Sequence, residues 1–575
     1  MDQSHSFFTR GAFNKSSLTR ALHALSKKEW YTFIVFISLL ILSTFGILWK
    51  INNQFLVNIP AYGGTIDEGI VGTPRFINPI LALSDADRDI TSLVYAGLMK
   101  KLPDGTFVPD MAESYSLSDN GLEYTFILKQ GITFHDGQPL TADDVVFTVS
   151  KIKDPLVKSP RRLNWEGVLV EKIDDRTIVF TLKQPFASFL DSTTTGIVPA
   201  HIWSELSPEE MSFSDINTYA IGSGPFQITK VQKKSSGIPE SYELKVFKKY
   251  INGRAYLNKI VFHFYANEKD LAKAVSSNDV DHASGLSPLY AAGLETDGYQ
   301  VANGVLPRIF GLYYNQTQAP IFTDRNVLRA IDTAIDKEKI VREVLYGYGS
   351  VIDSPVPQKI VGMSSISPAS LESARNILDN AGWKINANGV REKTTGKDTK
   401  TLEFSITTID SPELTKVAEY IKQDLLAIGI PVEIRVYDMG TLNQSIIRPR
   451  KYDMLLFGQI INHESDLFAF WHSSQRNDPG LNIALYANTK VDKLLETFIS
   501  ELDDNSRFET LSLIRDEMKK EYPAVFLYSP DFTYVIRDDI KGVDISGVVQ
   551  PSDRFSTITS WYLYTDRVWK VFINN

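Results

Sequence analysis

The chain has 575 residues, 43% hydrophobic and 22% charged, with a formal net charge of −9. That composition excludes a largely disordered chain, and the acidic balance excludes a nucleic-acid binder working through a broad basic surface. Cysteine is absent, which excludes disulfides, thiolate metal sites, cysteine nucleophiles and a cysteine-linked lipid anchor.

The first element is apolar. Residues 30–49 read WYTFIVFISLLILSTFGILW, without a charge. As a helix rising 1.5 Å per residue this run spans about 30 Å, the thickness of a bilayer's hydrocarbon core. Trp30, Tyr31 and Trp49 bracket it, where amphipathic rings favour the interface. Arg10, Lys15, Arg20, Lys27 and Lys28 precede it against Asp2 and Glu29, and after Lys50 no basic residue comes before Arg75. The positive-inside rule therefore expects residues 1–29 in the cytoplasm, a transmembrane helix at 30–49, a linker at 50–61, and everything from 62 to 575 outside the cell membrane. A cleaved signal peptide would have a shorter apolar core and a small-x-small site; LWKINNQF follows instead. No later uncharged run approaches membrane length, so one crossing is expected.

Past residue 62 the pattern is first hairpin-rich. Tyr124, Phe126 and Leu128 alternate along a predicted strand at 123–128, between the turns Ser118-Asp-Asn-Gly121 and His135-Asp-Gly137. Thr141 is placed to cap a helix whose first turn carries Asp143 and Asp144, its oxygen accepting from a free N–H. Another strand is predicted at 177–182. Helix and strand then alternate. Val327, Leu328, Ile331, Ala334 and Ile335 keep helical spacing, and a second helix opens at Ser367-Pro368 and stops at Gly382. The polar stretch 387–400 reads as a hairpin or surface loop. A strand at 402–406, a helix from Pro412 to Gly429 and a strand at 432–436 predict a right-handed crossover and parallel pairing. The fold class is mixed α/β, large and two-lobed.

Catalytic signatures are scarce. No H-E-x-x-H, Walker A loop or G-x-S-x-G elbow occurs, so no metal or cofactor is expected. Ser150-Lys-Ile-Lys153, Ser118-Asp-Asn120 and Lys393-Thr-Thr-Gly396 approximate the S-x-x-K, S-D-N and K-T-G of penicillin-binding serine enzymes, but in the wrong order, with the last one residue too long. His135 reads as a turn residue. A large outer body without a catalytic constellation points to a binding protein, not an enzyme.

Six segments stand in order along the chain: Leu117-Ser-Asp-Asn-Gly-Leu-Glu-Tyr-Thr-Phe-Ile-Leu128, Gly131-Ile-Thr-Phe-His-Asp-Gly137, Leu140-Thr-Ala-Asp-Asp-Val-Val-Phe147, Gly222-Ser-Gly-Pro-Phe226, Phe322-Thr-Asp-Arg-Asn-Val-Leu-Arg-Ala-Ile331 and Ala374-Arg-Asn-Ile-Leu-Asp-Asn-Ala-Gly-Trp383. Together they resemble the solute-binding protein family 5, the peptide-binding components of ABC importers. The resemblance runs from about residue 62 to the end. It implies a two-lobed periplasmic-binding-protein-like fold (class II, large, three-domain): lobe I at about 62–96, 191–304 and 527–575, an extra domain at 97–190, and lobe II at 305–526. It implies peptide capture between lobes, oligopeptides as cargo, ABC permease and ATPase subunits as partners, and a monomer. The same fold also serves relatives that take nickel chelates, haem or oligosaccharides, and a chemosensory or scaffold role stays open beside these.

The resemblance also suggests ligand-binding residues. A peptide amine needs a carboxylate, and Asp466 and Glu464 fall where relatives carry acids, though solvated loop acids or helix caps would read alike. Gln459 stands at a position where many relatives have Trp. Trp471 is a candidate wall and equally a core residue. Tyr313, Tyr314 and Asn315 follow the expected hinge, and Arg75 and Phe76 lie in the early loop 73–79. Thr407-Thr-Ile-Asp410 occupies the place where some dipeptide binders put an arginine, which argues against strict dipeptide recognition.

Overall fold

The computed structural model describes residues 23–356, 368–461 and 466–572. They form two compact units, one holding the chain up to Ala61 together with the segment from Tyr564, the other Tyr62–Leu563.

In the first unit a single helix, Lys27–Phe55, carries the apolar run and buries none of its residues. Ser26 caps it: its backbone N–H and hydroxyl both donate to the Glu29 carboxylate, at 2.8 and 2.7 Å. The stretch 50–61, expected as a linker, has regular secondary structure. Residues 51–55 continue the helix, and β1 (Leu56–Ala61) pairs antiparallel with the Tyr564–Trp569 strand, from Leu56↔Trp569 to Ala61↔Tyr564. Leu56, Val57 and Ile59 suit an extended conformation, and the returning strand supplies the ladder partner that an isolated strand lacks. The stretch 564–572 expected within lobe I therefore belongs to this unit.

The second unit is two-lobed. Its strands, in chain order, include β2 (Thr65–Val71), β3 (Ala112–Leu117), β4 (Glu123–Leu128), β5 (Leu169–Lys172), β6 (Thr177–Thr181), β7 (Phe226–Lys233), β8 (Pro239–Val246) and β9 (Lys259–Tyr265). There follow β10 (His282–Ser284), β11 (Gln300–Val305), β12 (Arg308–Tyr314), β13 (Phe404–Ile409), β14 (Val432–Tyr437), β15 (Met454–Ile460) and β16 (Ala524–Ile536). The large sheet runs β14-β13-β15-β12-β16-β10-β2-β9-β8-β7, with β11 also on β16. β3-β4-β6-β5 form a separate four-stranded sheet.

The cores show where one lobe ends. Leu306 and Phe532 pack with the Ile66–Phe264 core, whereas Ile309, Leu312, Phe526 and Tyr528 pack in the cores of the other half. The chain thus crosses between lobes at 307–308 and again at 529–531, the second crossing inside the single strand β16. One residue staples the first lobe. The buried Arg554 guanidinium reaches Glu68 at 2.8 Å and Asp89 at 2.6 Å, and Tyr534 donates to Glu68 at 2.8 Å.

The predicted crossover is present: Phe404↔Val432 begins a parallel ladder joined through the Pro412–Ala427 helix, and Gly429 ends that helix at φ +86°. The segment 387–400 makes a hairpin, Arg391–Thr395 against Asp398–Thr401. One local expectation is corrected. The helix placed from Ser367-Pro368 begins at Leu371, with the Ser370 hydroxyl accepting from the Ser373 N–H at 3.1 Å; Ser367 lies outside the described residues. Thr141 is the N-cap of Ala142–Lys153, in a capping box with Asp144, whose carboxylate accepts from the Thr141 N–H at 2.8 Å and from its hydroxyl at 3.3 Å.

Candidate functional site

The motifs that carry the resemblance lie mostly in the frame. His135 Nδ1 accepts from the Gly222 N–H at 3.3 Å, and its Nε2 donates to the Gly224 carbonyl at 3.1 Å. Burial pushes its pKa down to about 4, so the ring is neutral and can play both parts. Gly222 is needed for close approach: a Cβ there would stand 2.1 Å from the Val94 carbonyl oxygen. Asp87 does similar work for the early loop, accepting from the Arg75 and Phe76 N–H groups at 2.6 and 2.8 Å.

Between the lobes lies a cavity of about 930 Å³, near the upper end of the range for ligand sites. Its first-lobe wall comes from the turn 101–107, from Tyr115 and Leu117 on β3, Tyr124 on β4, residues 187–191 and the loop 547–549. The facing wall comes from Arg308 and Ile309 at the start of β12, from Ile352 and Val356, from Ile461, and from Leu502, Phe508 and Leu511. Its floor includes the crossings themselves. Leu306 and Ser529 both line it, and the Ser529 hydroxyl donates to the Leu306 carbonyl across the gap between the two passes of chain. Tyr115, Leu117, Val305, Leu502 and Phe508 stay exposed, an apolar grouping on a soluble surface that marks a binding region.

The charges in the cavity are unequal. Lys101 pairs with Asp191 at 3.2 Å, and Asp104 accepts from Thr106. Arg507 donates to the Phe498 and Glu501 carbonyls and lies over the Phe498 ring at 4.5 Å. Arg308 differs. Its Nε is buried without a hydrogen-bond partner, and among the described residues no ion pair includes it. Burial lowers its pKa, with Asp85 and Glu413 pulling it back toward the usual value. A buried guanidinium lacking an anion is costly unless one arrives with a ligand.

The sequence-suggested residues are placed as follows. Tyr313 is fully buried, its hydroxyl donating to the Ile309 carbonyl at 3.3 Å, and its ring meets Trp471 at 6.1 Å. Trp471 is itself buried against Phe526, so these two meet in the core of the second lobe. Tyr314 packs on Phe322; Asn315 donates to the Arg450 carbonyl and accepts from the Thr317 and Gln318 N–H groups. Phe76 is buried in the first lobe, and exposed Arg75 lies over its ring at 4.8 Å. None of these six lines the cavity; both faces of β12 are packed in the second lobe, so Tyr313 and Tyr314 are core residues on either side of it. Asp466 heads the Asp466–Trp471 helix without lining it, and Glu464 lies outside the described residues. Gln459 does not line the cavity either: it is buried opposite Ile309, a lining residue, and its Oε1 has no hydrogen-bond partner among the described residues. Arg308 was legible only as the charge that opens the strand 308–314, directly after Leu306-Pro307.

The rival serine chemistry is not assembled. The Ser150 hydroxyl donates to the Phe147 carbonyl at 2.7 Å within its own helix, and Lys153 donates to the Val168 carbonyl.

A family profile described as bacterial extracellular solute-binding proteins, family 5 Middle, matches residues 106–479, well over half of the chain. The chain belongs to this family. Among its relatives, the oligopeptide-binding protein AppA of Bacillus subtilis (strain 168) is 27% identical over 518 residues, 88% of this chain and 92% of the relative. The probable D,D-dipeptide-binding periplasmic protein DdpA of Escherichia coli (strain K12) is 23% identical over 506 residues, 85% and 93% of the two chains. The structure of Bacillus subtilis AppA in complex with a nonapeptide matches with a TM-score of 0.67 at 26% identity, over 88% of this chain and 100% of that one. NikZ from Campylobacter jejuni in complex with Ni(L-His) matches with a TM-score of 0.69 at 24% identity, over 87% and 99%, a likeness of fold. In this family-5 frame, the cavity at the lobe crossings is the site to be explained.

Proposed function

We propose that this protein is the extracytoplasmic substrate-binding component of an ABC importer, held to the membrane by its apolar helix with residues 1–29 in the cytoplasm. It captures a peptide between its lobes, presents it to a permease driven by separate ATPase subunits, and releases it chemically unaltered. The observation that carries this reading is the 930 Å³ cavity floored by the two lobe crossings, with the half-buried Arg308 there forming no ion pair among the described residues. A peptide carboxylate answers that guanidinium, and the apolar walls take side chains with little discrimination. Asp466 and Glu464 are kept as proposed partners for the peptide amine, since Ile461 lines the cavity just before them. The lobe limits 62–96 with 191–304 and 527–563, 97–190, and 305–526 belong to the same proposal.

Because ligand and floor share the crossings, closure of the lobes and burial of the cargo are one event. Native mass spectrometry of the full chain in detergent tests the reading. It is expected to show one protein copy carrying one peptide, recovered intact. Recovery of a nickel chelate, haem or an oligosaccharide instead would overturn the peptide assignment.

A further inference from the structure

We infer that the Trp569–Phe572 segment is a second membrane contact, seating in the outer lipid interface beside the helix; the inference rests on the membrane-anchor reading above. Three observations within the first unit carry it. The helix runs unbroken to Phe55, past the end of the apolar stretch at Trp49. The Trp569 indole N–H donates to the Asn52 side chain at 2.8 Å, and its ring meets Phe55 at 6.2 Å. Asn52 and Phe55 stand three and six residues beyond Trp49, about 4.5 and 9 Å along the axis, which is headgroup depth when Trp49 marks the hydrocarbon edge.

Direction adds to position. β1 leads away from the helix, so its antiparallel partner leads back toward it, and the turn Lys570–Phe572 continues past Trp569 on that heading. Polarity is graded the same way. The two rungs nearest the helix are apolar, Leu56↔Trp569 and Val57↔Val568; the next two bring in Asn58, Arg567 and Asp566. Beyond Trp569, Val571 and Phe572 are 65% and 69% exposed, with Lys570 between them and the strand. Tryptophan and phenylalanine with an adjacent lysine is the chemistry of an interfacial contact, rings at headgroup level and the ammonium among phosphates. A protein partner is not called for, since the continuous transmembrane helix already puts a bilayer at this level. The consequence is that both strands of the ladder, about 20 Å long, are fastened at the membrane end, rather than one.

The absence of cysteine makes the test clean. Single-cysteine variants V571C, L40C and I385C of the full chain, each labelled with an environment-sensitive fluorophore, are reconstituted into vesicles of phosphatidylcholine and phosphatidylglycerol. Lipid carrying a nitroxide at headgroup depth is expected to quench the label at 571 several-fold more than the label at 385. The label at 40 should be quenched by a nitroxide deep in the acyl chains. If 40 is buried and 571 is no better quenched than 385, the second contact is wrong and the anchor stands. If 40 is itself in water, the anchor reading falls and takes the second contact with it.

Discussion

At Arg308 the protein holds a half-buried guanidinium that forms no ion pair among the described residues, at the start of β12 where the chain crosses between the lobes. A charge-assisted hydrogen bond is worth about 1.5–3 kcal/mol, roughly 10- to 100-fold in affinity. Arg308→Gln is therefore expected to weaken peptides with a free carboxylate by about that factor, measured by calorimetry, while their C-terminal amides change little. Equal losses for acid and amide would mean that the arginine shapes the cavity rather than reading the charge. Arg554 is the opposite case, a guanidinium saturated by Glu68 and Asp89. Arg554→Met leaves two carboxylates buried without their counter-ion, and denaturant unfolding should show a loss of about 3–5 kcal/mol. The contrast also explains what sequence reading could reach. His135 and Gly222 are set in recognisable strings because their geometry tolerates few alternatives, and they turn out to be frame. Arg308 belongs to no string, and its importance lies in a missing partner, which only three-dimensional packing exposes. Tyr313, Tyr314 and Trp471 looked like cleft aromatics for a related reason: size and position near the hinge suggest a wall, but the packing on both faces of β12 makes all three core residues.

At the scale of elements, the docking of the 131–137 turn onto 222–226 depends on a neutral His135. Its pKa in the folded state, about 4, lies below the ordinary 6.5, so on acidification the unfolded chain takes up the proton first. The stabilising effect is complete above pH 6.5 and is lost progressively as pH falls toward 4, by about 2–3 kcal/mol. Comparing denaturant midpoints of the wild type and His135→Asn between pH 7 and 4.5 isolates this term: the variant should start less stable and show the shallower decline. A parallel decline would show that the ring does not titrate in this way. Elements with strong local signals were predictable, among them the 123–128 strand, the Pro412 helix with its Gly429 stop, and the crossover they feed. The β1 pairing was not, because its partner lies some 500 residues later in the chain and six residues such as LVNIPA carry no mark of what they pair with. The 50–61 stretch therefore read as a linker.

For the molecule as a whole, the two-lobed architecture followed from family motifs, whereas the hinge had to be located by asking which core each residue of β12 and β16 joins. Those crossings carry the central claim: cargo sits on them, and the lobes close over it. The decisive measurement is a titration of the full chain, stripped of cargo, with the peptides it releases, for the wild type beside Arg308→Gln and Leu502→Asp. The account predicts saturable one-site binding in the wild type, at least tenfold weaker binding in both cavity variants, and peptides recovered with unchanged mass. Binding that ignores both substitutions, or peptides returned as fragments, would contradict it.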